Sequence, residues 1–146
     1  MTMFWLLASI AGAAIALQAV MNARLGVLLH NPLLATTIAF GCACLVTLVA
    51  VLLVNRSVPD GNTLQKIPLY LWGAGLLSAF GVGTFYYLIP KMGAGPMMSW
   101  ALGGQILLAM LISHMGWFDL PIKPITLTKV AGVIFLILGI LLINRS

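Results

Sequence analysis

Charged side chains are scarce in this sequence, which contains seven Lys and Arg residues, two Asp and no Glu among its 146 residues. A soluble domain keeps about a quarter of its residues charged. Here the charged share is 6% and the hydrophobic share is 62%. No soluble fold could hide that much apolar surface. The composition therefore predicts an all-α integral membrane protein.

Groups for catalysis, metal binding and disulfide formation are also few. Cys42 and Cys44 are one residue apart, so a helix directs them about 160° from each other and they can neither bridge nor share a metal ion. We expect both to be small, buried apolar side chains. Two distant histidines and two loop carboxylates form no catalytic cluster. The sequence therefore predicts a protein without enzymatic activity, cofactor or metal site.

The lack of a carboxylate at membrane depth disfavours one transport chemistry. Proton-driven exporters of cations need such a group, because it must bind either the proton or the cation. Both carboxylates of this chain, Asp60 and Asp119, fall in predicted loops. An exchanger built on a membrane carboxylate is therefore disfavoured, although backbone or aromatic groups could still hold a quaternary ammonium ion.

Basic residues outnumber acidic ones, and the formal net charge is +5. Nucleic-acid binding requires a basic patch, whereas here the Lys and Arg residues are spread singly over the predicted loops. Basic side chains beside membrane segments contact anionic lipid headgroups. We therefore expect membrane lipid, and no nucleic acid, as a partner.

About 20 mainly apolar residues are needed for a helix to cross a membrane. Proline and glycine positions divide the chain into five such stretches, near residues 4–24, 33–54, 68–89, 94–114 and 126–143. The connections between them are short. We predict a single transmembrane domain over residues 1–146 with five spans.

The first of these stretches carries two amide side chains, Gln18 and Asn22, on one helical face. Such groups at membrane depth cost free energy unless a partner helix, a water-filled cavity or a ligand binds them. We predict that both line a central cavity and bind substrate. The alternative is bonding between helices, worth about 0.6–2 kcal/mol for each bond. The neighbouring face carries only small residues that favour close helix packing, namely Gly12, Ala16, Ala19 and Ala23.

Further candidates for substrate binding lie on the third and fourth predicted helices. Tyr86 and Tyr87 are about 100° apart, so we expect one of them to face the cavity. Trp100 and Gln105 are about 140° apart on a regular helix and share a pocket only if the helix breaks at Gly103-Gly104. Glycines in membrane helices also serve packing alone, so both alternatives stay open.

Three polar residues near predicted helix ends complete the candidate set. His114 is the remaining proton-binding group near a membrane segment, with interfacial solvation as the alternative explanation. Ser113 lies directly before it. Arg24 either extends to the membrane interface or attracts anionic groups at the mouth of the cavity.

Five spans would place the two termini on opposite sides of the membrane. Three basic residues then lie on one side (Arg24, Lys91 and Arg145) and four on the other (Arg56, Lys66, Lys123 and Lys129). Cytoplasmic loops normally carry an excess of Lys and Arg. Without that excess, the chain either inserts in both orientations and forms an inverted pair, or takes one orientation from weak local signals.

The segment 12–26, with Gln18 and Asn22, resembles the first helix of the YdcZ-type family within the drug/metabolite transporter superfamily. Further similar stretches are Asn31-Pro32 to Phe40-Gly41, Tyr87 to Gly95 and Gly104-Gln105 to Gly116. The resemblance implies a bacterial inner-membrane protein of about five spans. Larger members of the superfamily have ten helices in two inverted halves, so a half-sized chain is expected to pair. In the family an acidic residue often stands where this chain has Ser113, which weakens a proton-coupling role there.

These observations together favour a small-molecule transporter, an exporter by family analogy. We expect alternating access in a two-chain assembly, a homodimer with parallel or antiparallel chains, around a site of uncharged polar and aromatic residues. The alternative is an accessory or structural inner-membrane protein in which Gln18 and Asn22 only hold helices together.

Overall fold

A computed structural model describes residues 2–54 and 59–145, so Arg56 lies outside the described residues. Within these ranges the regular structure is entirely helical, which confirms the predicted all-α class. The helices are α1 (Thr2–Leu28), α2 (Pro32–Val54), α3 (Gly61–Gln65), α4 (Leu69–Trp72), α5 (Ala74–Met92), α6 (Ala94–Met115) and α7 (Leu127–Ile143). A single 3₁₀ turn covers Trp117–Asp119.

Four segments of the described chain are long and apolar enough to cross a membrane. They are Met3–Leu28, Pro32–Val54, Leu69–Met92 and Ala94–Met115. The fifth predicted span is an apolar helix of 17 residues, Leu127–Ile143, at the short end of the range that spans a bilayer. The third differs in detail from the prediction, because Gly73 separates the one-turn helix α4 from α5, and α5 continues through Pro90.

The chain divides into two compact units, Met1–Lys91 and Met92–Ser146. In the first, α1 packs against α2, and in the second α6 packs against α7. The buried residues of the first unit lie in the second half of α1, the first turns of α2 and the second half of α5. The first half of α1 and the second half of α2 are exposed.

The turn after α1 has the hydrogen bonds of a Schellman motif. The N–H of His30 bonds to the carbonyl of Val27 at 3.1 Å, and the N–H of Asn31 bonds to the carbonyl of Gly26 at 3.0 Å. His30 has a φ of +51°, in the left-handed region that glycine usually occupies at this position. This turn therefore reverses the chain within three residues and fixes where His30 lies.

The start of α2 is stabilised by the next residue, Asn31. Its side-chain Oδ1 accepts hydrogen bonds from the backbone N–H groups of Leu33 and Leu34 at 3.0 and 3.1 Å. Pro32 is the first residue of the helix, where a missing N–H costs nothing. The Asn-Pro pair thus acts as a helix start signal.

A single residue, Gly93, separates α5 from α6. Its φ of +89° and ψ of 156° are accessible essentially only to glycine. Pro96 lies in the first turn of α6, where proline is tolerated. The glycine pair Gly103-Gly104 lies inside the uninterrupted helix α6, so the helix break considered above does not occur.

Glycine at position 103 instead serves packing. A Cβ atom there would lie 2.8 Å from Cδ1 of Ile140, which is buried on α7. A side chain at this point would require the terminal methyl of Ile140 to move, so glycine allows the close contact between α6 and α7.

Two expectations about small residues need revision. Cys42 and Cys44 are both exposed on α2, so the expectation that they are buried is wrong. Along the small-residue face of α1, Ala19 and Ala23 are buried, but Gly12 has open space where a Cβ would be. The face therefore packs in its second half only.

Candidate ligand-binding site

The predicted polar residues of α1 meet a tyrosine of α5. The Nδ2 group of Asn22 donates to Oε1 of Gln18 at 2.9 Å and to the hydroxyl of Tyr86 at 3.0 Å. The Tyr86 hydroxyl in turn donates to the same Oε1 of Gln18 at 3.0 Å. These three side chains form a closed hydrogen-bonded ring, which we call the amide–tyrosine cluster.

The cluster uses only part of the hydrogen-bonding capacity of the two amides. Oε1 of Gln18 accepts two bonds and Nδ2 of Asn22 donates two, so both groups are saturated. Nε2 of Gln18 and Oδ1 of Asn22 make no bond within the described chain. Both residues are partly buried. Every fully buried side-chain N or O atom of such residues in the described chain has a hydrogen-bond partner, so these two unpaired atoms are at least partly accessible. One donor group and one acceptor group of the cluster therefore have no partner within the described chain.

A cavity of about 310 Å³ adjoins the cluster at Tyr86, which is 2% exposed. Its walls come from the end of α1, the following turn and the end of α5. The lining residues are Gly26, Val27, His30, Pro32, Tyr86, Tyr87, Pro90 and Lys91. Tyr86 belongs to both the cavity wall and the cluster, whereas Gln18 and Asn22 bond to Tyr86 and are not among the residues that line this cavity. The role of the two amides in binding substrate therefore stays a prediction.

The two adjacent tyrosines both line this cavity but lie in different environments. Tyr86 is buried with its hydroxyl in the cluster, whereas the ring of Tyr87 is 49% exposed. The ammonium group of Lys91 lies 3.6 Å from the centroid of the Tyr87 ring, which is a cation–π contact. Tyr87 also lines a second cavity of about 360 Å³, which shares Pro32 with the first.

The charged lining of the first cavity is basic. Lys91 and His30 contribute to its walls, and neither of the chain's two carboxylates does. A cation in this cavity would meet the Lys91 ammonium group and no acidic counter-ion. The site is therefore better suited to a neutral, zwitterionic or anionic ligand.

The remaining predicted site residues do not join this cluster. Arg24 is exposed and is not part of the cavity lining. Trp100 and Gln105 are both exposed on α6 in the second unit, and the continuous helix keeps them on different faces. No observation tests their role in binding, so it stays a prediction.

Ser113 and His114 hold a loop to the end of α6. The carbonyl of Ser113 accepts the N–H of Lys123 at 2.8 Å, and Nδ1 of His114 accepts the N–H of Ile125 at 3.3 Å. The bond to Ser113 uses its backbone carbonyl and does not depend on its side chain, whereas the imidazole bond gives His114 a structural role. A coupling role for them stays a prediction.

Sequence reasoning did not single out His30 or Lys91 as cavity residues. Both lie just outside or at the end of apolar segments, where topology signals offer a sufficient explanation. One signal for His30 was available, since it directly precedes the Asn-Pro helix start and so falls in a tight turn. Its place in one cavity with residues of α5 required the tertiary structure.

The apolar helices and the polar cluster between α1 and α5 define a small helical membrane protein. Residues 3–142 match the model of a family described as "Putative inner membrane exporter, YdcZ". The chain belongs to this YdcZ family, which confirms the resemblance drawn from its motifs. No curated protein and no solved structure matches the chain.

Proposed function

We propose that this protein exports a small molecule across the bacterial inner membrane through a site built on the amide–tyrosine cluster. The observation that carries the proposal is the position of Tyr86, which bonds to Gln18 and Asn22 and also forms the wall of an open cavity. The family description as an inner membrane exporter supports the same activity. Transport would proceed by alternating access, with the site exposed to each side in turn.

The chemistry of the site indicates the class of substrate. Nε2 of Gln18 would supply donors and Oδ1 of Asn22 an acceptor, which suits a ligand with both kinds of group. The cavity walls are otherwise mainly apolar, with Val27, Pro32 and Pro90 among them. We propose a neutral polar or zwitterionic molecule with an apolar part, and the aromatic rings of Tyr86 and Tyr87 would contact that part.

A Gln18→Glu substitution tests the site while keeping its internal bonds. The variant retains an acceptor at the Oε1 position for Asn22 and Tyr86, and it replaces the open Nε2 donor group by oxygen. Purified protein would be reconstituted in liposomes loaded with a defined panel of amino acids, sugars, organic acids and quaternary amines, and efflux followed by mass spectrometry. We expect at least one solute to leave through the wild type and its efflux to fall at least tenfold in Gln18→Glu.

The control variant is Ser9→Ala. Ser9 is exposed on the same helix, and its hydroxyl bonds to the carbonyl of Trp5. Efflux through Ser9→Ala should therefore equal efflux through the wild type. Unchanged efflux in Gln18→Glu would contradict the assignment of the site.

An accessory or structural membrane protein is the second candidate function. The bonds between α1 and α5 are those that such a packing role predicts, because each amide found a partner within the protein. The same liposome experiment separates the two candidates. A wild-type protein that moves none of the panel faster than empty liposomes would favour the accessory role.

We also propose that two chains assemble to make the transport unit. Gly12 on α1 and Gly75 on α5 have open space where a Cβ would be, so another helix could approach either helix closely at these points. A second copy in the inverted orientation would complete a two-half architecture. The chain would then act as a half-transporter.

The length of α7 gives this proposal a sharp topological test. If its 17 residues cross the membrane, basic residues are nearly balanced at three against four. If α7 does not cross, Arg145 joins the other side and the count becomes two against five, which would impose one orientation. C-terminal fusions to a reporter active only in the cytoplasm and to one active only outside should both give signal if the chain inserts both ways. Signal from one alone would contradict the inverted homodimer.

A further inference from the structure

The second unit contains a groove between α6 and α7 with a basic end and an apolar track. A cavity of about 230 Å³ at the end of α6 includes Ser113, Lys123 and Lys129 in its lining. A second cavity of about 330 Å³ continues along α7 past Gly132, Val133 and Leu136. The two share Ile106, Met110 and Lys129, so they form one groove.

The basic end of the groove is held in place by the loop that precedes α7. The N–H of Lys123 bonds to the carbonyl of Ser113, which fixes the Lys123 backbone beside the end of α6. The Nζ group of Lys129 donates to the carbonyl of Pro124 at 2.7 Å and lies 3.4 Å from the carbonyl of Lys123. The Lys123 backbone and the Lys129 ammonium group are therefore held at the same mouth of the groove, and both lysines line it.

Nothing acidic balances these two charges within the groove. The chain has only two carboxylates, Asp60 and Asp119, and neither lines either cavity. The mouth is therefore complementary to an anion.

The rest of the groove is complementary to a hydrocarbon chain. From Lys129 to Leu136 the helix rises about 10 Å, at about 1.5 Å per residue. Gly132 stands on this path and has open space where a Cβ would be, so the groove continues past it. Ile106 and Met110 of α6 form the opposite wall.

We propose that this groove binds an anionic phospholipid, with the headgroup phosphate at Lys123 and Lys129 and one acyl chain along α7. The charge at one end and the apolar path behind it match the two parts of such a molecule. The site lies wholly in the second unit and is independent of the proposed transport site.

Native mass spectrometry of the full chain, with phosphatidylglycerol and phosphatidylcholine offered at equal concentration, tests the proposal. We expect the wild type to retain phosphatidylglycerol at least threefold over phosphatidylcholine. Lys123→Gln should remove most of this preference, because it deletes one charge and keeps the backbone bond to Ser113. Lys123→Arg should restore the preference, and Lys66→Gln, at an exposed lysine of the first unit, should leave it unchanged.

The apolar track has its own matched pair of variants. Gly132→Leu should lower phosphatidylglycerol retention at least threefold by filling the groove, while Gly139→Leu, at an equally open position outside it, should not. Glycerol phosphate, which has no acyl chain, should not compete. Helix content by circular dichroism confirms that each variant is folded, and Gly132→Ala replaces Gly132→Leu if the latter is not.

Three outcomes would overturn the proposal. Equal retention of the two lipids would show that the lysines do not select an anion. Competition by glycerol phosphate would show that a free phosphate suffices. Conversion of a dimer to a monomer by Gly132→Leu, without change in lipid retention, would show that a second copy of the chain fills the groove.

Discussion

Replacing Tyr86 by phenylalanine removes the single atom that links α5 to both amides of α1. The hydroxyl accepts from Nδ2 of Asn22 and donates to Oε1 of Gln18, both at 3.0 Å. The ring remains and continues to fill its buried position. The substitution therefore isolates the polar contribution of the cluster from its packing.

The expected cost follows from the bonds that are lost and the one that survives. Hydrogen bonds between membrane helices contribute about 0.6 kcal/mol on average and up to about 1.7. Losing two of them predicts a decrease of about 1–2 kcal/mol in the free energy of unfolding. The hydrogen bond from Nδ2 of Asn22 to Oε1 of Gln18 at 2.9 Å persists, so the Asn22 amide still has one partner. Tyr86→Ala would cost about 3–5 kcal/mol, because a large buried side chain is also removed.

Reversible unfolding in mixed detergent micelles with increasing SDS, followed by circular dichroism, measures this difference. Tyr87→Phe is the matched control, since that ring is half exposed and its hydroxyl makes no hydrogen bond in the described chain. Its stability should lie within about 0.3 kcal/mol of the wild type. A double-mutant cycle with Asn22→Ala should give a coupling of at least about 0.5 kcal/mol. If Tyr86→Phe is as stable as Tyr87→Phe, the cluster does not join the helices as described.

Three further predictions concern the connections between helices. Gly93→Ala should lower the free energy of unfolding by about 1–3 kcal/mol, measured by thermal melting, because alanine is strained at a φ of +89°. Gly95→Ala, inside α6, should leave that free energy unchanged or raise it slightly. Asn31→Ala should lower the free energy of unfolding by about 1 kcal/mol in the same melting assay, because it removes the cap of α2. Asn31→Asp keeps an acceptor oxygen and should retain most of the stabilisation by the cap. The pKa of Asp60 is held below its ordinary value mainly by the hydrogen bond from the Thr63 hydroxyl, and also by that from the Thr63 backbone N–H. The ionised Asp60 therefore stabilises the folded protein slightly at a pH above the ordinary carboxyl pKa, and this stabilisation is lost as the pH falls through the lowered pKa of Asp60. Thr63→Val removes the hydroxyl bond and should raise the pKa of Asp60 in an NMR titration.

The class and most helices of this protein follow from composition and periodicity alone. A chain with 6% charged residues must place its apolar surface in lipid, and in lipid a segment must satisfy its own backbone groups, which a helix does. The boundaries near Asn31-Pro32 followed from local chemistry, since the amide cap and the proline act within one turn. The boundary at Pro90 did not, because α5 tolerates a proline two residues before its end.

The candidate site was determined only in part by the sequence. That Gln18 and Asn22 share a helical face is a property of the helix, so the sequence determined it. Which tyrosine meets them depends on how α5 is rotated against α1, and only the tertiary structure showed that this is Tyr86. The contribution of His30 and Lys91 to one cavity was likewise decided there, because the two lie 61 positions apart in the chain and no local rule relates positions so distant.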